Sequence, residues 1–390
     1  MHINSSESYG WKDRLILVLL FSIIFTTTYA YIPDVYVDSS RYALFRYVNI
    51  LTIGTLFILS YNSQLIFKRG FIRGFLFPTM AMLFLLTLFK FLGLNVDFAG
   101  IIVIINAFMA MCVGHETKLG VKYLRTLLMF FALIAIVIGY GAVKSYLGDF
   151  TLESDLYLLD GKNQIGVIVS VAAFAMLYLF IMCNNKKMKV TTILLFLILF
   201  SLLILIRCRT ALVAFILATF IVLHKVLSGK HLALLYIVSI IFFFVLNESI
   251  MEIVRNVFIE DRNVADINEL TTGRTDRNID AIEYIPEHLI DGEMITPSYI
   301  ELIHNYVLKN LVSYGIWCFP MLICYFMLIY KVFKQTILSK KATLYDIGYY
   351  VLIIPLFCSL LEPGAPFGPG SVMLFMYILT GISLRHSTNK

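Results

Sequence analysis

The 390-residue chain alternates apolar runs with short polar links, and a single long polar stretch, 247–305, breaks the alternation. Apolar runs fall at about 15–31, 43–60, 74–92, 98–114, 123–143, 164–183, 190–206, 210–224, 231–247, 306–330, 347–361 and 370–384. A helix of about 20 apolar residues crosses a hydrocarbon core of about 30 Å and satisfies its own backbone groups there. The pattern therefore predicts an all-α polytopic membrane protein of about twelve transmembrane helices. Spans one to nine occupy 1–246, a loop with short helices occupies 247–305, and spans ten to twelve occupy 306–390. The first run has a basic flank but no small-residue cleavage site, and reads as a span rather than a signal peptide.

One pair of spans needs a length argument. From Val190 to His224 the only charged side chains are Arg207 and Arg209 (His taken as neutral), and no proline or glycine marks a turn. A single helix over this stretch would be about 52 Å long at 1.5 Å per residue. It would have to tilt by about 55° to fit the bilayer, beyond the usual range. Two short spans joined by a tight hairpin at Arg207-Cys208-Arg209-Thr210 are expected instead. Within the polar stretch, Thr275 is expected to cap a helix running to Pro286. A second helix is expected to start near Pro297-Ser298 and continue into the tenth span, with Ile300, Ile303, Val307 and Leu311 on one face.

Charge orients the chain. Lysine and arginine concentrate in cytoplasmic loops, and alternate links carry Lys68, Arg69 and Arg73; Lys118, Lys122 and Arg125; Lys186, Lys187 and Lys189; Lys225 and Lys230; Lys331, Lys334, Lys340 and Lys341. These links and both termini are expected in the cytoplasm, which puts the 247–305 loop outside. Of the 25 acids, all but Glu7, Asp13, Glu116 and Asp346 fall on the outer side. A composition 60% hydrophobic and 14% charged excludes a soluble globular protein. The net charge of +6 lies in short clusters between spans and implies no nucleic-acid partner. The six cysteines form no spacing pattern, so no disulfide framework and no metal site are expected.

The candidate chemistry lies on the expected outer side. Thr272-Gly273-Arg274-Thr275-Asp276-Arg277 places a glycine at a helix start, where backbone N–H groups and the helix dipole favour an anion. Arg274 and Arg277, three apart, can face the same way, although Asp276 and Asp280 offer them ordinary ion-pair partners. Arg207 and Arg209 oppose the inside-positive bias, and guanidinium forks match phosphate oxygens bidentately; snorkelling to the headgroups is the alternative. His304, with Glu301 one helical turn before it, is a candidate base, or else an interfacial spacer. Lys162, in Asp160-Gly161-Lys162-Asn163-Gln164, can reach a phosphate or simply snorkel. The connection from Glu362 to Gly370 reads as a rigid turn, and its one acid, Glu362, is the next candidate should His304 not be the base. Together these residues suit a lipid-anchored diphosphate and require no metal or cofactor.

In its span count and outer loop the chain resembles the O-antigen polymerase (Wzy-type) and O-antigen ligase superfamily of bacterial inner-membrane glycosyltransferases. Four local patterns carry the likeness: Gly161-Lys162-Asn163-Gln164-Ile165-Gly166, Arg209-Thr210-Ala211-Leu212, Thr272-Gly273-Arg274, and His304-Asn305-Tyr306 followed by Tyr314-Gly315. The resemblance implies a GT-C-like fold and inverting transfer of a glycan from undecaprenyl diphosphate to an acceptor hydroxyl. It carries Arg209 and Arg274 onto diphosphate binding and His304 onto a base or acceptor-positioning role. Arg207, Arg277, Lys162, Glu301 and Asn305 join the expected substrate site by position. The implied partners are an undecaprenyl-diphosphate-linked oligosaccharide and membrane lipids, with room for a chain-length regulator protein. A ligase acting on lipid A core would look much the same. A flippase for the lipid-linked unit is the rival from another class, but it is expected to show internal repeats, and none is found.

Overall fold

The computed structural model describes residues 11–29, 39–61, 70–147, 162–245, 273–295, 303–339, 342–362, 364–367 and 373–387, with isolated residues between 246 and 272. The described residues are helical with no strand. The helices are α1 (Trp11–Tyr29), α2 (Ser39–Ser60), α3 (Gly70–Phe91), α4 (Ala99–Glu116), α5 (Val121–Leu147), α6 (Lys162–Met182), α7 (Lys186–Ile206) and α8 (Arg209–Val226). They continue as α9 (Gly229–Val245), α10 (Arg274–Glu287), α11 (Tyr306–Tyr314), α12 (Phe319–Phe333), α13 (Ile347–Val351), α14 (Ile353–Cys358) and α15 (Leu374–Ser387). Among the described residues, eight helical stretches are long and apolar enough to cross a membrane: α2 to α8 and the interrupted run Tyr306–Leu338. The apolar stretches Gly229–Ile241 and Leu344–Cys358 are shorter.

The hairpin expected from the 35-residue run is present. α7 ends at Ile206, Arg207 takes a left-handed conformation (φ 54°, ψ 33°), and Arg209 opens α8. α6 is the inner helix, buried along nearly all of Ile165 to Leu179 and packed on α5, α7 and α8. Its backbone comes close to the hairpin at Gly166, where an added Cβ would sit 2.4 Å from Cys208 Cβ. α4 and α15 approach as closely. A Cβ on Gly114 would fall 1.9 Å from the Ile378 carbonyl oxygen, and one on Gly381 2.1 Å from that of Met111. Small residues that let backbones meet are a common basis of helix association in lipid. α9, by contrast, presents apolar side chains outward along much of its length, with Ile237 and Phe244 exposed.

Contacts between links sort them into two ends of the bundle. At one end Tyr314 Oη donates to the Asp97 carbonyl (2.7 Å), Asn95 N–H donates to the Met294 carbonyl (3.1 Å), and Asn163 Nδ2 donates to Glu362 (2.7 Å). At the other, Tyr178 Oη donates to the Thr343 carbonyl (2.6 Å), Arg385 Nη1 to the Glu116 carbonyl (3.0 Å), and Lys225 Nζ to the Ile337 carbonyl (2.7 Å). The links joined at each end are ones that charge bias also places together.

Two expected helices are corrected. α10 starts at Arg274 with Gly273 as its cap, at φ +73°; the Thr275 hydroxyl instead meets Thr271 (2.8 Å). Asn268 adds to this start, its side chain bonding Asp276. The tenth span does not begin near Pro297, since residues 303–305 are not helical and Asn305 is extended (φ −148°, ψ 130°). The Asn305 side chain accepts from Val307 N–H (2.9 Å) and Leu308 N–H (3.1 Å), so it caps α11. Ile303 therefore lies before the helix, buried against Ala281, Tyr284 and Val312. The same span is interrupted at Gly315 (φ +56°) by a 3-10 turn, Gly315–Cys318. There a Cβ would sit 2.4 Å from the Leu289 carbonyl oxygen, and Ile316 N–H donates to that oxygen (2.7 Å). Residues 296–302, with Pro297, Ile300 and Glu301, lie outside the described residues.

Candidate active site

Of the expected site residues, Arg274, Arg277, His304 and Asn305 converge with Asn163 and Glu362 where α6, α10, the 303–305 link and the segment after α14 meet. The centre is Glu362. Its Oε1 accepts from Arg274 Nη2 (3.0 Å) and from Asn163 Nδ2 (2.7 Å). Arg274 Nη1 also donates to the Leu361 carbonyl (2.9 Å), so the guanidinium is held from two directions. The two side chains are 18% and 15% exposed, which keeps the pair largely out of water. Burial raises the Glu362 carboxyl above its ordinary value, against the opposing pull of Arg274 and the Asn163 hydrogen bond.

The local sequence explains each position. Gly273, with no Cβ, takes the left-handed turn that opens α10, and Arg274 is the first residue of that helix. One turn on, Arg277 Nη1 contacts His304 Nε2 (3.3 Å). The 303–306 segment runs beside the residues that lead to Glu362. Tyr306 N–H donates to the Ser359 carbonyl (3.0 Å), and Asn305 Nδ2 donates to that of Leu360 (3.2 Å). Past Glu362 the chain folds back into the bundle, where Ala365 and Phe367 are buried and Phe367 stacks on Tyr377. The expected rigid turn is thus also an anchor that fixes the carboxylate.

His304 carries a neutral ring. Burial, then the charges of Arg274 and Arg277, lower its pKa to about 4. A guanidinium has donors only, so Nε2 is the acceptor of the Arg277 bond and the ring proton sits on Nδ1. That Nδ1 is buried with no hydrogen-bond partner among the described residues. At Nδ1 the imidazole therefore holds an N–H, not a lone pair. The expected orienting residue, Glu301, lies outside the described residues.

The remaining expected residues lie at the same end. Lys162 opens α6 next to Asn163, and Glu362, Lys162 and Arg274 are all near enough to the Cys208 thiol to act on it electrostatically. Cys208 Sγ is 3.6 Å from Asn163 Oδ1. Arg207 is buried on one side of Cys208, and half-buried Arg209 opens α8 on the other. Thr272 and Gly161 lie outside the described residues. Sequence reasoning gave Asn163 no role of its own and read Glu362 as part of a turn, keeping it only as the next candidate after His304. The available signal was that Glu362 is the one acid in its connection. Among the described residues, no group of three or more His, Cys, Asp or Glu could hold a metal ion.

The arrangement offers two guanidinium groups, a neutral imidazole N–H and a buried carboxylate on one face. It can bind an anion, orient a hydroxyl and move a proton. No protein-family model matches the chain, and no curated protein is significantly similar to it.

Proposed function

We propose that the protein is a polysaccharide polymerase of the bacterial cytoplasmic membrane, transferring a growing glycan from undecaprenyl diphosphate to the non-reducing-end hydroxyl of a lipid-linked repeat unit. The observation that carries the reading is the gathering of Arg274, Arg277, His304 and Glu362 at one end of an apolar helical bundle. In this reading the chain crosses the membrane twelve times. α1, α9, the 344–358 stretch and α15 join the eight long stretches, both termini are cytoplasmic, and the site faces the periplasm. Helical character and the outer site agree with the GT-C-like fold that the resemblance implies.

The chemistry follows from charge. As the anomeric carbon–oxygen bond breaks, negative charge grows on the departing diphosphate, and fixed donors aimed at that oxygen stabilise the transition state most. Arg274 and Arg277 serve here, with Lys162 and the hairpin residues Arg207 and Arg209 at the same end of the bundle. His304 acts as the acceptor-positioning group, its Nδ1–H directed at a sugar or phosphate oxygen, and Asn305 holds the segment that carries it. No nucleotide sugar and no metal are required by this scheme.

Binding tests the reading. Purified protein should bind a short-chain polyprenyl diphosphate, and Arg274→Ala should weaken that binding by about tenfold or more, the scale of a charge-assisted hydrogen bond. Arg274→Lys should recover only part, because a point charge lacks the fork. Equal affinity in wild type and Arg274→Ala would exclude this diphosphate site.

A further inference from the structure

We propose that Glu362, and not His304, takes the proton from the acceptor hydroxyl, and that its ion pair with Arg274 holds it back until a diphosphate oxygen takes Arg274 over. The inference rests on the glycosyl-transfer reading and assigns the proton within it.

Geometry separates the two candidate bases. The one lone pair on the neutral His304 ring, at Nε2, already accepts from Arg277 Nη1 at 3.3 Å. Its other nitrogen holds the ring proton. To act as a base the ring would have to give up Arg277 and then carry positive charge beside two guanidinium groups. A base with a pKa of about 4 in that field is the poorer choice. Glu362 differs in kind, since accepting a proton there neutralises an anion that is already largely buried. Among the described residues the side-chain partners of Glu362, Arg274 and Asn163, both sit on Oε1, which assigns Oε2 to the incoming hydroxyl.

The pair also explains timing. A carboxylate oxygen 3.0 Å from Arg274 Nη2 occupies the position a phosphate oxygen would take on the same fork. Arg274 need not move when its partner changes, because Nη1 stays on the Leu361 carbonyl at 2.9 Å. Glu362 has only to turn its Oε1 off Nη2 to make room for that phosphate oxygen, and Asn163 Nδ2, 2.7 Å from the same Oε1, is the partner left to it. Once the donor diphosphate occupies Nη2, Glu362 keeps its burial and loses the cation that stabilised its charge. Burial and the lost cation both favour proton uptake. Donor binding thereby switches on the base, and water without a donor meets a carboxylate still paired.

The step balances without a further reagent. The acceptor oxygen forms its bond to the anomeric carbon and its proton passes to Glu362 Oε2. The bond from that carbon to the diphosphate oxygen breaks, and its electron pair leaves with the diphosphate, whose added charge faces Arg274 and Arg277. Glu362 ends as the neutral acid and returns its proton to water as the product leaves.

The test uses full-length protein in detergent with a synthetic lipid-diphosphate-linked repeat unit, measuring kcat, KM and the affinity for a short polyprenyl diphosphate. Glu362→Gln keeps an acceptor Oε1 for Arg274 and Asn163 but cannot take a proton. It should lower kcat by about 100-fold or more while diphosphate affinity stays equal or rises, because Arg274 no longer faces a competing charge. Glu362→Asp, which restores a carboxylate, should recover part of that kcat. His304→Asn, which keeps an N–H donor, should lose no more than about tenfold. Wild-type kcat in Glu362→Gln would overturn the proposal. So would a joint loss of kcat and diphosphate affinity, which marks a residue that only positions Arg274, or an Asp variant no faster than Gln. A wild-type protein that neither binds polyprenyl diphosphate nor extends the unit would instead refute the glycosyl-transfer reading itself.

Discussion

The Arg274–Glu362 pair can be measured apart from any activity, by a double-mutant cycle on stability. Arg274→Ala removes the 3.0 Å contact to Glu362 and the 2.9 Å bond to the Leu361 carbonyl. Each is a hydrogen bond to a charged group, worth about 1.5–3 kcal/mol net. The single change should therefore cost about 3–6 kcal/mol, before any penalty for leaving Glu362 buried with Asn163 alone. Glu362→Ala should cost about 2–3 kcal/mol, since Arg274 keeps its backbone partner. The two share one interaction, so the double variant should fall short of their sum by about 1.5–3 kcal/mol. An exposed surface pair would give only about 0.2–1 kcal/mol, and exposures of 18% and 15% put this one in the stronger class. Reversible unfolding of the four proteins in mixed micelles measures the coupling. A coupling below about 0.5 kcal/mol, within the usual error of additivity, would show that the pair does not hold the site.

Three further outcomes follow from the same structure. His304 is held at a pKa of about 4, below its ordinary 6.5, so between these values the unfolded chain binds more protons and wild type should lose stability as pH falls; His304→Asn should lack that loss when unfolding midpoints at pH 7 and pH 4.5 are compared, and equal pH dependence would contradict the burial argument. Gly381→Val would place a Cβ 2.1 Å from the Met111 carbonyl oxygen, so it should destabilise the fold by about 3 kcal/mol or more, seen as loss of the monodisperse peak in gel filtration, whereas Gly54→Ala, with open space around it, should keep that peak. A cysteine at exposed Asp280 should react with an impermeant thiol reagent in intact cells once the outer membrane is permeabilised, and one at exposed Lys187 should not; the native cysteines are buried and give little background, and labelling at position 187 would reverse the orientation.

Much of the helical layout was legible because apolar length is a strong signal. The 207–210 hairpin carries no turn residue, yet a helix too long for the bilayer was enough to place it. Arg274, Arg277 and His304 stood out because cations and an imidazole on the acid-rich side are unusual. Other features were not legible, for local reasons. Asn305 sits in an apolar periodicity that runs from Ile300 to Leu311, and nothing in that pattern says the helix starts only at Tyr306. What stops it is the Asn305 side chain capping Val307 and Leu308, a signal that outranks periodicity when both are present. Glu362 ranked only behind His304 because its partners, Asn163 and Arg274, come from remote parts of the chain. No spacing rule joins them. Its loop reads only as a rigid turn from its glycines and prolines, which gives no hint that Phe367 is buried.

The most direct measurement of the central claim is a single-compartment reaction. Purified protein in detergent, given only a synthetic undecaprenyl-diphosphate-linked repeat unit, should convert it to a ladder of products spaced by one repeat, with release of undecaprenyl diphosphate. A substrate recovered unchanged, from protein that still binds it, would contradict the enzyme reading and favour a carrier of the lipid-linked unit.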